Sequence, residues 1–79
     1  MYDRFTVMMA VEMLDLCSHY NPEDEIVMKI KLGIRRWADT GDIEFLKVAY
    51  WSCYAATGFT VMGLPYNDIM NALNKREEK

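Results

Sequence analysis

The sequence predicts an all-α fold: a compact bundle of three long helices plus a short C-terminal helix, completed by self-association. Three observations predict it. Apolar residues recur at three- and four-residue steps through most of the chain. Asn21-Pro22, Thr40-Gly41-Asp42 and Gly63-Leu64-Pro65 punctuate those periodic stretches with residues that start and stop helices. Residues 42–63 hold only Glu44 and Lys47 as charges after Asp42, and from Val48 onward they are apolar or weakly polar on every side. A helix of that kind is expected to be enclosed by other protein, since a half-exposed helix needs one polar face.

Seventy-nine residues make one domain over 1–79, near the lower limit at which a single core is self-sufficient. With 52% apolar and 27% charged residues, the chain belongs with globular proteins and not with disordered ones. The net charge is −3 and the Lys and Arg residues are scattered among acids, which argues against nucleic acid as the main partner. The first residues make a poor secretion signal, because Asp3, Arg4 and Glu12 interrupt the apolar run. No apolar run approaches the ~20 residues that span a bilayer. A cytoplasmic protein without membrane contact is therefore expected. Cys17 and Cys53 each fall among apolar neighbours in a predicted helix, so two reduced, packed thiols are favoured over a disulfide. Most of the seven methionines are read as core filler.

The first helix is predicted over residues 2 to about 19. Phe5, Met9, Met13, Leu16 and Tyr20 form one apolar stripe, and Val7, Val11 and Leu14 form another well round the cylinder. Arg4, Glu12, Asp15 and His19 mark a narrow wet edge. One stripe suffices to dock this helix on the bundle, so the second needs a cover that so short a chain can hardly supply.

The second helix is predicted from Pro22 to about Asp39, with Asn21 as its cap and Glu23, Asp24 and Glu25 in the first turn. Ile26, Ile30, Ile34 and Trp37 share its inner face, with Val27 and Ala38 beside them. Lys29, Lys31, Arg35 and Arg36 occupy the rest, with Met28 and Leu32 forming a small apolar spot among them. Gly41 and Asp42 then make a tight turn that sets the second and third helices antiparallel.

On the third helix, Ala49, Cys53, Ala56, Thr60 and Gly63 recur as a ridge of small side chains, while Tyr50, Trp51, Tyr54 and Phe59 project elsewhere. Pro65 disfavours a helical Leu64 and opens a last helix over residues 65 to about 76, with Ile69, Ala72 and Leu73 inward and Tyr66 and Met70 flanking. Residues 75–79 are all charge and are expected to fray.

Groups that carry chemistry are few. Asp15, Cys17 and His19 stand at two-residue steps and point apart on a helix, which leaves Asp15 and His19 as a weak half-site. Glu12 with Asp15 and Asp39 with Asp42 have the spacing of magnesium-binding carboxylate pairs. Asp39 and Asp42, however, already have roles at helix ends. No glycine-rich phosphate loop is present, and neither cysteine has an activating histidine nearby in sequence. The second of the last two helices is a poor reader of DNA, since Asn67, Asp68, Asn71, Asn74 and Lys75 bring one positive and one negative charge.

One stretch carries a resemblance. Residues 54–75 combine an aromatic and small-residue helix, Gly63-Leu64-Pro65, and a helix ending in Asn74-Lys75. This quarter of the chain looks somewhat like the last helices of MazG-type all-α nucleotide pyrophosphohydrolases. That resemblance implies ExxE and ExxD carboxylates holding magnesium on the two preceding helices. Here Lys31, Arg35, Lys47 and Tyr50 stand near where such acids would be expected, so kinship would imply a scaffold that has lost its metal site.

The leading expectation is a small non-enzymatic helical protein that forms a homodimer or higher homo-oligomer. It would act by binding another protein, as a regulator or inhibitor of the kind phages direct at host machinery. No cofactor, metal or catalytic residue is assigned. Val7, Val11 and Leu14 are the candidate self-contact, with Trp51, Tyr54, Met28 and Leu32 as further interface candidates. Lys29, Lys31, Arg35 and Arg36 are candidate contacts to an acidic partner. The alternative is a divergent magnesium-dependent pyrophosphohydrolase-like protein using Glu12, Asp15, Asp39 and either Asp42 or Glu44. A nucleic-acid-binding regulator ranks last.

Overall fold

The structure, a computed structural model, describes residues 2–77. They form α1 (Arg4–Cys17), α2 (Glu25–Thr40), α3 (Ile43–Thr57) and α4 (Tyr66–Glu77), with no strand among the described residues. The all-α bundle is as predicted; several of its joints are not.

Helix α1 starts two residues later than expected, because Asp3 adopts an extended conformation and caps it. The Asp3 carboxylate accepts from the Thr6 N–H at 2.8 Å, and the Thr6 hydroxyl accepts from the Asp3 N–H at 3.0 Å. This is a capping box with threonine in the position usually held by Glu or Gln. Met9 and Met13 of the predicted stripe are fully buried, and Thr6, Ala10 and Cys17 widen it. Tyr20, placed at the end of that stripe, lies beyond the helix and is exposed.

The start of α2 shifts by three residues. The Asn21 side chain accepts from the Glu23 N–H at 2.9 Å and closes a turn of its own. Asp24 is the cap, accepting from the Ile26 N–H at 2.8 Å, so Pro22 belongs to the turn and not to the helix. The buried face is Val27, Ile30, Ile34 and Trp37, while Ile26 and Ala38 are exposed. Residues ahead of α1 dock here as well: the Tyr2 hydroxyl donates to the Ala38 carbonyl at 2.6 Å, and its ring centroid lies 5.3 Å from that of Trp37.

The predicted tight turn is present. Gly41 takes φ 74° and donates its N–H to the Trp37 carbonyl at 2.7 Å, and Asp42 caps α3 through the Glu44 N–H at 3.0 Å. α3 packs chiefly along α2, with α4 and α1 on its flanks.

α3 ends at Thr57, six residues before the expected stop at 63. Gly58 takes φ 71° and its N–H reaches the Tyr54 carbonyl at 2.8 Å, which terminates the helix. Of the predicted small-residue ridge, only Ala49 and Cys53 are buried. Ala56 sits exposed in the last turn, and Thr60 and Gly63 lie in the following loop. Nor is α3 enclosed: Val48, Trp51 and Tyr54 are exposed, because three neighbouring helices cover only part of its circumference.

In α4, Ile69 and Leu73 are fully buried, with Tyr66, Met70 and Ala72 half-buried beside them. Pro65 precedes the helix and accepts from the Ile69 N–H at 3.2 Å. Two ion pairs engage the end of this helix. Arg76 Nε lies 2.7 Å from Asp3 Oδ2, and Lys47 Nζ lies 2.7 Å from Glu77 Oε1, so α4 stays helical to Glu77. Residues 78–79 of the predicted tail lie outside the described residues.

Candidate interaction surfaces

The outer face of α1 is apolar. Val7, Met8, Val11 and Leu14 are 44%, 44%, 59% and 41% exposed. Steps of three and four residues link them into one patch on a helix. Met8 was missed at the sequence level, although it lies three residues before Val11. The wet edge expected beside this face is arranged differently. Arg4, Met8, Val11 and Asp15 follow one another at steps of four, three and four, so Arg4 and Asp15 frame the patch at its two ends. No ion pair engages either of them among the described residues. Glu12 leaves the edge altogether: its Oε1 accepts from the Met62 N–H at 3.2 Å, and its Oε2 is buried without a partner.

A second exposed surface runs along α3 and meets α4. Trp51 is 57% exposed and lines a groove with Glu44, Lys47, Val48 and Met70. Tyr54 is tied down on one side, its ring centroid 4.4 Å from that of Tyr66. Tyr66 also stacks on Tyr50 at 5.6 Å. Tyr50 is fully buried, with no hydrogen bond to its hydroxyl among the described residues; burial chiefly, with Cys53 and the neighbouring tyrosines, pushes its phenol up to about 12.

On α2, Met28 and Leu32 floor a shallow groove rimmed by Glu25, Lys29, Lys31 and Arg35. The candidate basic face is thus split. Arg35 Nε lies 4.0 Å from Asp39 Oδ2, and Arg36 turns toward α3, its guanidinium 5.9 Å from the Phe45 ring centroid.

The candidate metal ligands stand in separate roles. Glu12 holds the loop after α3, Asp42 caps α3, Asp39 faces Arg35, and Glu44 lies 4.0 Å from Lys47. His19 falls in the turn after α1, so it does not share a helical face with Asp15. Among the described residues, no three His, Cys, Asp or Glu side chains converge as a cation site. No helix is long and apolar enough to cross a membrane among those residues.

One further feature was not foreseen. Where α1 ends, α2 begins and α3 ends, a recess of about 180 Å³ opens between Leu16, Ile26, Val27 and Ile30, and both Cys17 and Cys53 line it. The thiols are buried and unbridged. Burial raises the pKa of each, offset in part by Lys31 for Cys17 and by a hydrogen bond with Thr57 for Cys53.

No protein-family model, curated protein or solved structure matches this chain.

Proposed function

We propose that this chain is a non-enzymatic helical protein that self-associates and acts by binding another protein, in the manner of a small regulator or inhibitor. The observation that carries the proposal is the contiguous apolar face of α1, Val7, Met8, Val11 and Leu14, each more than two-fifths exposed. Scattered exposed apolar residues are ordinary, but a contiguous patch over two turns of one helix face supports an interaction site. The second face, with Trp51 and Val48, is separate along the chain and offers an aromatic anchor of the type that dominates protein interfaces. The division of labour is self-contact through α1 and partner contact through α3.

Sedimentation velocity across the micromolar range tests the first half. The wild-type chain is expected to form a dimer or larger species, and Val11→Glu is expected to dissociate it. A wild-type monomer throughout, or an unchanged mass in Val11→Glu, removes the assignment. For the second half, affinity capture from the source cell with wild-type and Trp51→Ala protein is expected to yield a partner that only the wild type retains.

A further inference from the structure

We propose that α1 pairs antiparallel with α1 of a second copy, Arg4 of each chain lying against Asp15 of the other and Met8 against Val11. This rests on the self-association reading and names its geometry. The argument begins with spacing. Arg4, Met8, Val11 and Asp15 run down the middle of the exposed face, with Val7 and Leu14 alongside. At 1.5 Å per residue the two charges stand about 16 Å apart along the axis, one at each end of the apolar patch. An antiparallel copy whose two-fold axis passes between the levels of Met8 and Val11 meets each charge with its opposite. A parallel copy meets each with its like.

The second argument is the placement of the charges on their own helix. Arg4 is the first residue of α1, where the helix dipole disfavours a cation, and Asp15 lies in the last turn, where it disfavours an anion. Within the helix the first turn holds no acid and the last turn no base; the Asp3 cap brings an anion to the N-terminal end but is engaged by Arg76, so Arg4 and Asp15 are each placed against the dipole. Neither charge has an ion pair within the chain among the described residues. In an antiparallel pair, each helix end gains the opposite charge of its neighbour.

The contact is small for a stable interface. Stable interfaces bury about 1,200–2,000 Å² in total, and one pair of fourteen-residue helices reaches the lower end of that range at most. The dimer is therefore expected to dissociate on dilution within the micromolar range.

Charge reversal tests the pairing. Arg4→Glu and Asp15→Arg each place like charges together twice in the antiparallel dimer, and each is expected to weaken dimerisation about tenfold. The double variant R4E/D15R restores two opposite pairs and is expected to return the wild-type dissociation constant. Both reversals favour the dipole of α1, so lost dimer cannot be charged to a lost helix; circular dichroism melting checks this directly. If the wild type dimerises, Val11→Glu abolishes the dimer and the charge variants leave it unchanged, the antiparallel pairing is overturned while the self-association reading stands. If the wild type remains monomeric throughout, both are overturned.

Discussion

Gly33 of α2 and Ala49 of α3 sit at a close approach of the two helices: a Cβ added to Gly33 would lie 2.9 Å from the Ala49 Cβ and 3.1 Å from the Phe45 carbonyl oxygen. Neither neighbour can swing aside, since one is backbone and the other is fixed to it. Glycine costs a helix about 1 kcal/mol relative to alanine, and here that cost allows the α2–α3 crossing to be tight. Leu46, Ala49 and Cys53 of α3 are buried along with Ile30, Ile34 and Trp37 of α2.

Gly33→Ala is therefore expected to destabilise the fold despite its better helix propensity. Overpacking costs about 1–3 kcal/mol, and the propensity gain returns about 1. A net loss of up to about 2 kcal/mol follows, measured by urea unfolding. The companion Ala49→Gly should reduce that loss when combined with Gly33→Ala, since it removes the clashing atom. Stabilisation by Gly33→Ala alone would mean that the helices stand further apart.

Asp3 ties the start of α1 to the end of α4, and its contribution depends on pH. Burial alone would raise its carboxyl pKa, but the Thr6 N–H and the Arg76 guanidinium outweigh burial and hold the pKa below the ordinary carboxylate value. The folded value is thus lower than the unfolded value of about 3.9, so the stabilisation is present above that pH and lost as pH falls through the folded pKa. Asp3→Asn keeps a capping side chain and removes the charge. It is expected to cost about 1 kcal/mol or less near neutral pH, because the pair is partly exposed. Unfolding measured from neutral to strongly acid pH should show a shallower acid decline for Asp3→Asn than for the wild type.

What could be read in advance follows from how local each signal is. The α2–α3 turn was legible because Gly41 and Asp42, its cap and the next, are adjacent in sequence. The end of α3 was not, because Phe59, Thr60, Val61 and Met62 continue an apolar pattern past Gly58 and the more conspicuous Gly63-Leu64-Pro65 drew the boundary. The three-residue error at α2 has a similar origin: Asn21-Pro22 resembles a helix start, yet Asn21 caps only its own turn. Long-range ties left no sequence signal at all. Arg76 meets Asp3 across 73 residues, and Glu12 meets Met62 across 50. The apolar surplus on α1 was visible from Val7, Val11 and Leu14, but the framing by Arg4 and Asp15 emerges only once Glu12 is seen to turn inward.

Glu12 secures the loop over residues 58–65, where Met62 holds φ 56° and Gly63 φ 66°. Glu12→Ala leaves the Met62 N–H without its acceptor, and is expected to destabilise by about 1–3 kcal/mol. Hydrogen exchange at the Met62 amide should accelerate more than exchange in α2, which reports global unfolding. Glu12→Gln preserves an acceptor while discharging a partly buried group, so its stability is expected to lie within about 1 kcal/mol of wild type. Equal acceleration at Met62 in both variants would show that charge, and not an acceptor, holds the loop.

Cys17 and Cys53 report on the recess they share. Only the thiolate reacts with an aromatic disulfide reagent, and burial raises both thiol pKa values, so labelling of the folded protein at mildly alkaline pH is expected to be slow. If the recess stays closed until the whole bundle opens, the labelling rate of each thiol will follow the unfolded fraction as urea is raised. Cys53→Ser leaves Cys17 as a single reporter, and Cys17→Ser does the converse. A rate for Cys17 that is fast and independent of urea, with Cys53 still protected, would mean that the C-terminal turn of α1 detaches from α2 and α3 on its own. In that case the α1 face and the recess would move together, and the dimer should alter the labelling of Cys17 in proportion to its population.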